Sequence, residues 1–176
     1  GFGIGGRIMQ SIFLPVMAIS FAASPIAGQN FGARRPDRVR ETFRSAALIG
    51  STIMVLVSLL CHVSPESLIR AFTSDKDVIS PGAEYLKIIS WNFVFSGLIF
   101  TTSGIFQALG NTWPSLGSSL MRLALFVAPA VWLATRPGRQ FTLPDIWWLS
   151  VATVALQAVS NVVLLRREMN RKVPAV

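Results

Sequence analysis

The chain has 176 residues, of which 52% are hydrophobic and only 14% are charged. A soluble domain carries about a quarter charged residues, so this composition disfavours a soluble globular protein and is typical of a protein in a bilayer. The formal net charge of +8 does not indicate nucleic-acid binding. The basic residues are clustered in the breaks between apolar runs, where membrane proteins carry their topology signals.

Apolar runs of about 20 residues predict transmembrane helices. Five such spans follow one another along the chain: residues 8–27, 46–63, 85–109, 113–134 and 146–165. No linker or low-complexity segment interrupts them. We therefore expect an all-α membrane protein in which residues 1–176 form a single transmembrane helical unit.

The segment between the second and third spans contains two helix-start signals. Ser64 precedes Pro65, and Ser80 precedes Pro81. Each serine is expected to cap a helix whose first position is the proline. Residues 65–72 are expected to form a short helix on the membrane surface. Between the third and fourth spans only G-N-T-W-P intervenes, which predicts a tight turn.

The distribution of lysine and arginine predicts the orientation of the chain. The loop after the first span and the tail lie on one side, because four spans separate them. They carry nine basic residues: Arg34, Arg35, Arg38, Arg40, Arg44, Arg166, Arg167, Arg171 and Lys172. The opposite loops carry four: Arg70, Lys76, Arg136 and Arg139. This excess predicts that the loop at 31–45 and the carboxy terminus are cytoplasmic.

Polar residues recur at helical spacing within the spans. Seven of them are candidates to line a substrate cavity: Gln10, Ser20, Ser24, Asn92, Ser96, Gln107 and Arg122. Two interpretations stay open. Small and hydroxyl residues also let helices pack closely and bond across an interface. An intramembrane arginine usually faces the bundle interior, but it can also extend to the nearer membrane surface.

Several chemistries have no support in the sequence. No aspartate or glutamate lies in the middle of any span, and coupling to protons or sodium usually needs an embedded carboxylate. The one cysteine, Cys61, and the one histidine, His62, have no partners at metal-ligand spacing. No nucleophile is paired with a general base, and there is no phosphate-binding glycine loop. We expect no enzyme, no metal site and no cofactor.

A motif at the end of the first span is similar to one of a known family. Residues 19–33 end in G-Q-N-F-G-A, followed by R-R-P-D-R-V-R-E. This resembles the signature of the multidrug and toxic compound extrusion (MATE) family, in which an apolar helix ends in G-Q-N-x-G-A before a basic cytoplasmic loop. The residues that carry the match are Gly28, Gln29, Asn30, Gly32 and Ala33.

Downstream segments extend the resemblance over nearly the whole chain. F-Q-A-L-G-N-T-W-P resembles the tight turn after the tenth helix of that family, with Gln107, Gly110 and Pro114 in place. Arg122 follows where the family often has a basic residue in the next helix. Gly28 and Gly110 are expected to allow tight cytoplasmic turns.

The resemblance implies a twelve-helix transporter built from two six-helix lobes. The five spans would be helices eight to twelve, which make up most of the carboxy-terminal lobe. The implied activity is export of cationic, amphipathic drugs in antiport with protons or sodium, by alternating access, across the bacterial inner (plasma) membrane. The implied partners are the lipid bilayer, small amphipathic cations and a missing amino-terminal lobe of the same chain. Because the chain begins with Gly1 and not with methionine, we expect it to be a truncated piece. Without the opposing lobe half of the cavity would be missing, so we expect this piece to be inactive alone.

One departure from the family pattern concerns the coupling ion. Some members carry an acid in the middle of the tenth helix, and here the stretch V-F-S-G-L-I-F-T-T-S has none. The site for H⁺ or Na⁺ is therefore expected in the missing lobe. Two alternatives remain: a related flippase for lipid-linked saccharides, which would carry several cationic residues in its cavity, and a non-transporting membrane scaffold. The sequence leaves the substrate, the coupling ion and the oligomeric state open.

Overall fold

The computed structural model describes the backbone of residues 2–71, 76–135 and 142–172, and their side chains except those of 2–11, 76–78 and 133–134. Within these ranges the chain is helical and contains no strand. The helices follow in the order α1 (Phe2–Gly32), α2 (Pro36–Val63), α3 (Pro65–Arg70), α4 (Lys76–Ile89), α5 (Trp91–Ala108), α6 (Trp113–Ala134) and α7 (Leu143–Lys172). The predicted fold class, an all-α membrane protein, is confirmed.

Within the described residues four helices, α1, α2, α6 and α7, are long and apolar enough to cross a membrane. Helices α4 and α5 bring the number to five if the pair, bent by 49° at its break, counts as one span. The sequence predicted a continuous span at 85–109, so the break at Ser90 was missed. The Ser58 hydroxyl, on α2, donates to the carbonyl oxygen of Ser90 at 3.1 Å. A carbonyl at the break thus gains a partner from another helix, which stabilises the bend.

Two of the helices extend beyond the predicted spans. α2 begins at Pro36, which occupies its first turn with Asp37, and α7 continues to Lys172. Of the predicted loop at 31–45, only residues 33–35 lie outside helices. Hydropathy marks where a helix crosses the bilayer, whereas charged residues continue the same helix into water. The apolar runs therefore predicted where the chain crosses the bilayer and underestimated the lengths of the helices.

The two serine–proline signals have different outcomes. Pro65 occupies the first turn of α3 and Ser64 is its N-cap residue, although the Ser64 hydroxyl makes no capping hydrogen bond. The Ser80–Pro81 prediction is wrong, because Pro81 lies inside α4. Proline within a helix costs a backbone hydrogen bond. Packing of α4 against α3 helps to offset that cost, and a Cβ atom on Gly82 of α4 would lie 3.4 Å from Ile69 of α3.

Helix α5 is central in the bundle. It packs against α1, α2 and α7, and α6 joins the bundle mainly through α7. Phe93 and Phe106 on α5 are fully buried and belong to two apolar clusters, one near each end of the helix. Glycines let the neighbouring helices approach closely. The closest approach is at Gly104, where a Cβ atom would lie 3.1 Å from the carbonyl oxygen of Ser20 on α1.

Helix α6 lies at the edge of the bundle with most of its surface exposed. Only 6% of the apolar stretch that would cross the membrane is buried inside the bundle. Its exposed apolar residues include Leu116, Leu120, Leu123, Val127 and Val131. An apolar surface of this size is covered in the working molecule by lipid or by another apolar protein face.

Candidate functional site

Two polar side chains of α5 contact other helices of the same bundle. Asn92 is buried, and its Nδ2 atom donates to the Ser150 hydroxyl oxygen of α7 at 3.5 Å. The hydroxyls of Ser103 and Ser115 hydrogen bond at 2.8 Å and join α5 to α6. Bonds of this kind across a helix interface are what the helix-packing interpretation expects. Asn92 therefore lines no surface that is open within this chain.

The two candidate serines of α1 lie against α5. Ser20 is buried, and its hydroxyl donates to the carbonyl oxygen of Val16 at 2.9 Å. Ser24 is half-buried, with its Cβ atom 3.7 Å from the position that a Cβ on Gly104 would take. Both serines thus belong to the contact between α1 and α5, where small side chains are needed.

Two of the candidates keep exposed side chains. Gln107 near the end of α5 and Arg122 in α6 are both exposed, and Ser96 is half-buried. None of the ion pairs found within the described ranges involves Arg122. The Gln10 side chain lies outside the described part of the chain. An exposed guanidinium among apolar residues of a membrane helix needs a polar environment from outside this bundle.

Helix α7 carries a buried polar face. Gln157 Nε2 donates to the Ser119 hydroxyl oxygen of α6 at 3.1 Å. Asn161, one turn further on, has no exposed surface, and its amide makes no hydrogen bond within the described residues. Thr153 on the same face is also buried. The Gln157–Ser119 hydrogen bond joins this face of α7 to α6.

The G-Q-N-F-G-A motif is helical up to Gly32, the last residue of α1, and only Ala33 lies beyond the helix. Gly28 and Gly32 both lie within α1, so the expectation that Gly28 allows a tight turn is wrong. A Cβ atom on Gly28 would lie 3.9 Å from Ala108, which shows that α1 and α5 are in direct contact there. Gln29 is exposed, and the Asn30 side chain donates to the carbonyl oxygen of Ile26 at 2.8 Å.

The helix end after this motif is a Schellman turn. The Arg35 amide donates to the Asn30 carbonyl oxygen at 2.9 Å, and the Arg34 amide donates to that of Phe31 at 3.0 Å. This pair of bonds defines the motif, in which the residue at the left-handed position is usually glycine. Here Arg34 takes that position, with φ of 55°. The turn therefore depends on Arg34 and not on the motif glycines; Ala33 precedes it and is exposed.

The turn between α5 and α6 has the same pattern with a glycine at the left-handed position. The Asn111 amide donates to the Phe106 carbonyl oxygen, and the Gly110 amide donates to that of Gln107, both at 3.0 Å. Gly110 has φ of 67°. A side chain at this φ crowds its own backbone, and glycine avoids that cost.

We expect Gly110→Ala to lower the free energy of unfolding by about 1 kcal/mol, because a left-handed non-glycine residue costs about that much. No other atom lies within 4 Å of the added Cβ position, so the backbone cost acts alone. Gly32→Ala is the control: its Cβ position is equally open and its φ is not left-handed. That substitution should be neutral or stabilising by about 0.5 kcal/mol. Thermal unfolding in detergent measures both, and equal effects of the two substitutions would contradict the prediction.

A buried carboxylate near the end of α7 was not foreseen from the sequence. Glu168 is 6% exposed and accepts a hydrogen bond from Asn111 Nδ2 at 2.8 Å. Its carboxylate lies 3.2 Å from Lys172 Nζ, which donates to the Leu109 carbonyl oxygen at 2.9 Å. We call Glu168, Asn111 and Lys172 the Glu168 cluster. It fastens the end of α7 to the turn between α5 and α6. The i, i+4 spacing of Glu168 and Lys172 could have indicated that they pair. No feature of the neighbouring sequence indicated that Asn111 bonds to Glu168.

The only histidine of the chain lies at the break between α4 and α5. His62 Nδ1 is 2.8 Å from the Ser58 carbonyl oxygen and 3.2 Å from the Ser90 hydroxyl oxygen. A carbonyl only accepts hydrogen bonds, so we assign the proton to Nδ1. The imidazole packs edge-on against Trp91 at 5.3 Å between ring centroids. His62 thus stabilises the bend together with Ser58 and Ser90, whereas the sequence offered it no role.

The side chains brought together here join helices to one another. Within the described ranges no three His, Cys, Asp or Glu residues are grouped to hold a metal ion. Cys61 is a free, buried cysteine. The exposed side chains of Gln107 and Arg122 remain available to a partner or a solute.

Fold and sequence together define a multi-pass helical membrane protein. The MatE family model matches residues 1–133, which is more than half of the chain, so the chain belongs to the MatE family. The resemblance to MATE proteins predicted from the G-Q-N-F-G-A motif is thereby confirmed. The members it matches are bacterial membrane proteins, and its surroundings are accordingly a lipid bilayer.

The chain is similar to parts of longer proteins. It is 34% identical over 110 residues to the probable multidrug resistance protein YpnP of Bacillus subtilis (strain 168), a match that covers 62% of this chain and 25% of YpnP. It is 22% identical over 170 residues to the multidrug export protein MepA of Staphylococcus aureus (strain MSSA476), covering 94% of this chain and 36% of MepA.

A solved structure shows the same fold. The chain superimposes with a TM-score of 0.83 on the inward-facing conformation of a multidrug resistance MATE family transporter of the MOP superfamily. The two are 19% identical, and the match covers 96% of this chain and 39% of that one. At this identity the likeness establishes the fold alone. The described bundle thus corresponds to a little over a third of a complete transporter.

Proposed function

We propose that this chain is part of the carboxy-terminal lobe of a secondary transporter that exports cationic, amphipathic compounds in antiport with protons or sodium. The observation that carries the proposal is the MatE match over residues 1–133, and the four apolar helices and the bent α4–α5 pair support it. YpnP and MepA bear multidrug resistance and export names, and both are longer than this chain. Residues 1–176 form one helical unit in the proposal, and a second lobe completes the transporter.

In the proposed orientation the segment at 31–45 and the carboxy terminus lie in the cytoplasm of a bacterial cell. One contact supports placing them on the same side. Arg40 Nη2 donates to the Asn170 side-chain oxygen at 3.3 Å, so the basic start of α2 and the basic end of α7 lie together. An excess of lysine and arginine favours the cytoplasmic side.

The proposed mechanism is alternating access. The two lobes rock about a cavity between them, and substrate and coupling ion use that cavity in turn. The exposed Gln107 and Arg122 face the second lobe and line the cavity with it. The half-buried Ser24 and Ser96 lie at its margin. The buried Ser20 and Asn92 stabilise its wall through the helix contacts described above.

The coupling carboxylate belongs to the second lobe in this proposal. Among the described residues Glu168 is the one buried carboxylate, and it is already engaged with Asn111 and Lys172. A coupling site must exchange its ion during each cycle. A carboxylate held in two structural contacts is poorly suited to that exchange, so we assign Glu168 a structural role.

The test is efflux of a fluorescent amphipathic cation from membrane vesicles that carry the complete two-lobed protein. We expect efflux that depends on an imposed proton or sodium gradient. Arg122→Ala should reduce it by about 10-fold, the equivalent of losing one hydrogen bond of about 1.4 kcal/mol to a charged group. Arg38→Ala is the control, because Arg38 is exposed and pairs with Glu41 at 3.0 Å on the surface, where ion pairs contribute little.

Two outcomes separate the alternatives. Absence of any response to gradient or cation would contradict the proposal and favour a membrane scaffold. Movement of a lipid-linked saccharide without gradient-dependent cation efflux would favour a flippase. The chain spans about a quarter to a third of the relatives named above, so residues 1–176 alone should give no efflux.

A further inference from the structure

A pocket of about 290 Å³ opens between the start of α2 and the end of α7. The residues that line it are Arg40, Phe43, Arg44, Arg166, Met169 and Asn170. Arg40 and Arg44 are one turn apart on α2, and Arg166 and Asn170 are one turn apart on α7. The hydrogen bond from Arg40 Nη2 to the Asn170 side-chain oxygen holds the two helices in this arrangement. Three arginines from two helices therefore line one space.

No acidic residue lines this pocket. The nearby Glu41 and Glu168 are engaged elsewhere, with Arg38 at 3.0 Å and with Lys172 at 3.2 Å. Within the part of the chain that the structure describes, no ion pair involves Arg44 or Arg166. An adjoining pocket of about 370 Å³ shares Arg40 and Arg44 but is also lined by Asp37 and Glu41. The positive charge is thus least compensated on the α7 side, which favours an anion there.

The pocket lies where both helices leave the apolar part of the bilayer. The apolar run of α2 begins at Ala46, two residues after Arg44, and that of α7 ends at Leu165, next to Arg166. This is the depth at which phospholipid phosphates lie. Phe43 and Met169 give the pocket apolar walls beside its guanidinium groups. Basic pockets between membrane helices on the cytoplasmic side bind anionic lipid headgroups.

We propose that this pocket binds the phosphate of an anionic phospholipid, with Arg44 and Arg166 donating to its oxygens from opposite sides. Arginine suits this role because its planar fork can bind two phosphate oxygens at once. Arg40 adds a third positive charge, and its hydrogen bond to Asn170 joins α2 to α7 at the pocket. The bound lipid joins α2 to α7 at the edge of the bundle. This site rests on the proposed cytoplasmic placement of these helix ends and not on the proposed efflux.

The test compares two double variants that lose the same charge. The purified protein in detergent is titrated with phosphatidylglycerol, and bound lipid is counted by native mass spectrometry. Each basic residue near an anionic lipid contributes about 1 kcal/mol, so Arg44→Gln with Arg166→Gln should weaken binding about 30-fold. The control is Arg35→Gln with Arg167→Gln, whose side chains do not line the pocket; it should weaken binding less than about 3-fold, since only diffuse attraction is lost. Phosphatidylcholine of the same acyl composition should bind weakly to all three proteins.

Two results would overturn the proposal. Equal losses in both double variants would mean diffuse attraction to the basic surface without a site. Displacement of phosphatidylglycerol by millimolar inorganic phosphate would mean a small-anion site and not a lipid site. If the double glutamine variant fails to fold, Arg44→Lys with Arg166→Lys keeps the charge and removes the fork. The lysine pair at positions 44 and 166 should weaken binding about 5-fold. The control pair, Arg35→Lys with Arg167→Lys, should leave binding unchanged. Equal binding by the two lysine pairs would also overturn the proposal.

Discussion

Gly104→Ala should lower the free energy of unfolding by about 2 kcal/mol, within the usual range for overpacking a tight contact. The added Cβ atom would lie 3.1 Å from the Ser20 carbonyl oxygen and 3.7 Å from the Ser24 Cβ atom. A backbone carbonyl cannot rotate away as a flexible side chain can, so α1 and α5 would have to separate. The measurement is thermal unfolding in detergent. Unfolding is monitored by the reaction of a thiol-specific fluorophore with Cys61, which is fully buried in the folded chain.

Two other glycines serve as matched controls for Gly104. A Cβ atom on Gly50 of α2 would meet its nearest neighbour, the Thr101 hydroxyl oxygen, at 3.8 Å. Gly50→Ala should therefore be neutral or slightly stabilising, since alanine favours helix over glycine by about 0.5–1 kcal/mol. A Cβ on Gly97 would lie 3.2 Å from Met54 Cγ, a flexible side chain, so Gly97→Ala should fall between the other two. Equal effects of Gly104→Ala and Gly50→Ala would contradict the prediction.

Asn111→Ala should also destabilise the protein by about 2 kcal/mol, because it removes a hydrogen bond to a charged, buried group. The Glu168 carboxylate would keep only its contact with Lys172. Asn111→Asp is the more severe variant: it has nearly the same shape but sets a second carboxylate where the amide now lies 2.8 Å from Glu168. Thermal unfolding with the same Cys61 readout measures both variants.

The control for Asn111 is its neighbour in the same turn. Thr112 is exposed, and its hydroxyl makes no capping hydrogen bond to α6. Thr112→Ala should change the free energy of unfolding by less than about 0.5 kcal/mol, as is usual for surface substitutions. If Asn111→Ala were as mild as Thr112→Ala, the Glu168 cluster would not fasten α7 to the turn between α5 and α6.

The membrane crossings could be predicted because hydropathy is a property of consecutive residues. Each predicted span overlaps a helix or the α4–α5 pair that can cross a bilayer. The family could be predicted for a similar reason, since G-Q-N-F-G-A is a contiguous motif. The helix ends were predicted less well. Pro36 and Lys172 lie beyond the apolar runs, and charged residues there continue the helices into water.

The environment of each polar side chain could not be predicted in the same way. Helical spacing placed Asn92 and Gln107 on one face of α5, yet the first is buried against α7 and the second is exposed. Periodicity reports which residues share a face and does not report which neighbour covers it. Burial at that level follows from how the helices pack, and α7 covers α5 at Asn92 while Gln107 stays exposed.

The sequence by itself determined that this chain crosses a bilayer several times, which end is basic and which family it belongs to, because each of these depends on local composition or on a contiguous motif. The tertiary structure alone decided the break at Ser90, whose carbonyl partner Ser58 is 32 residues away. It also decided the burial of Glu168, whose partner Asn111 is 57 residues away. Contacts over such distances form only when the helices pack against one another, so local composition carries little information about them.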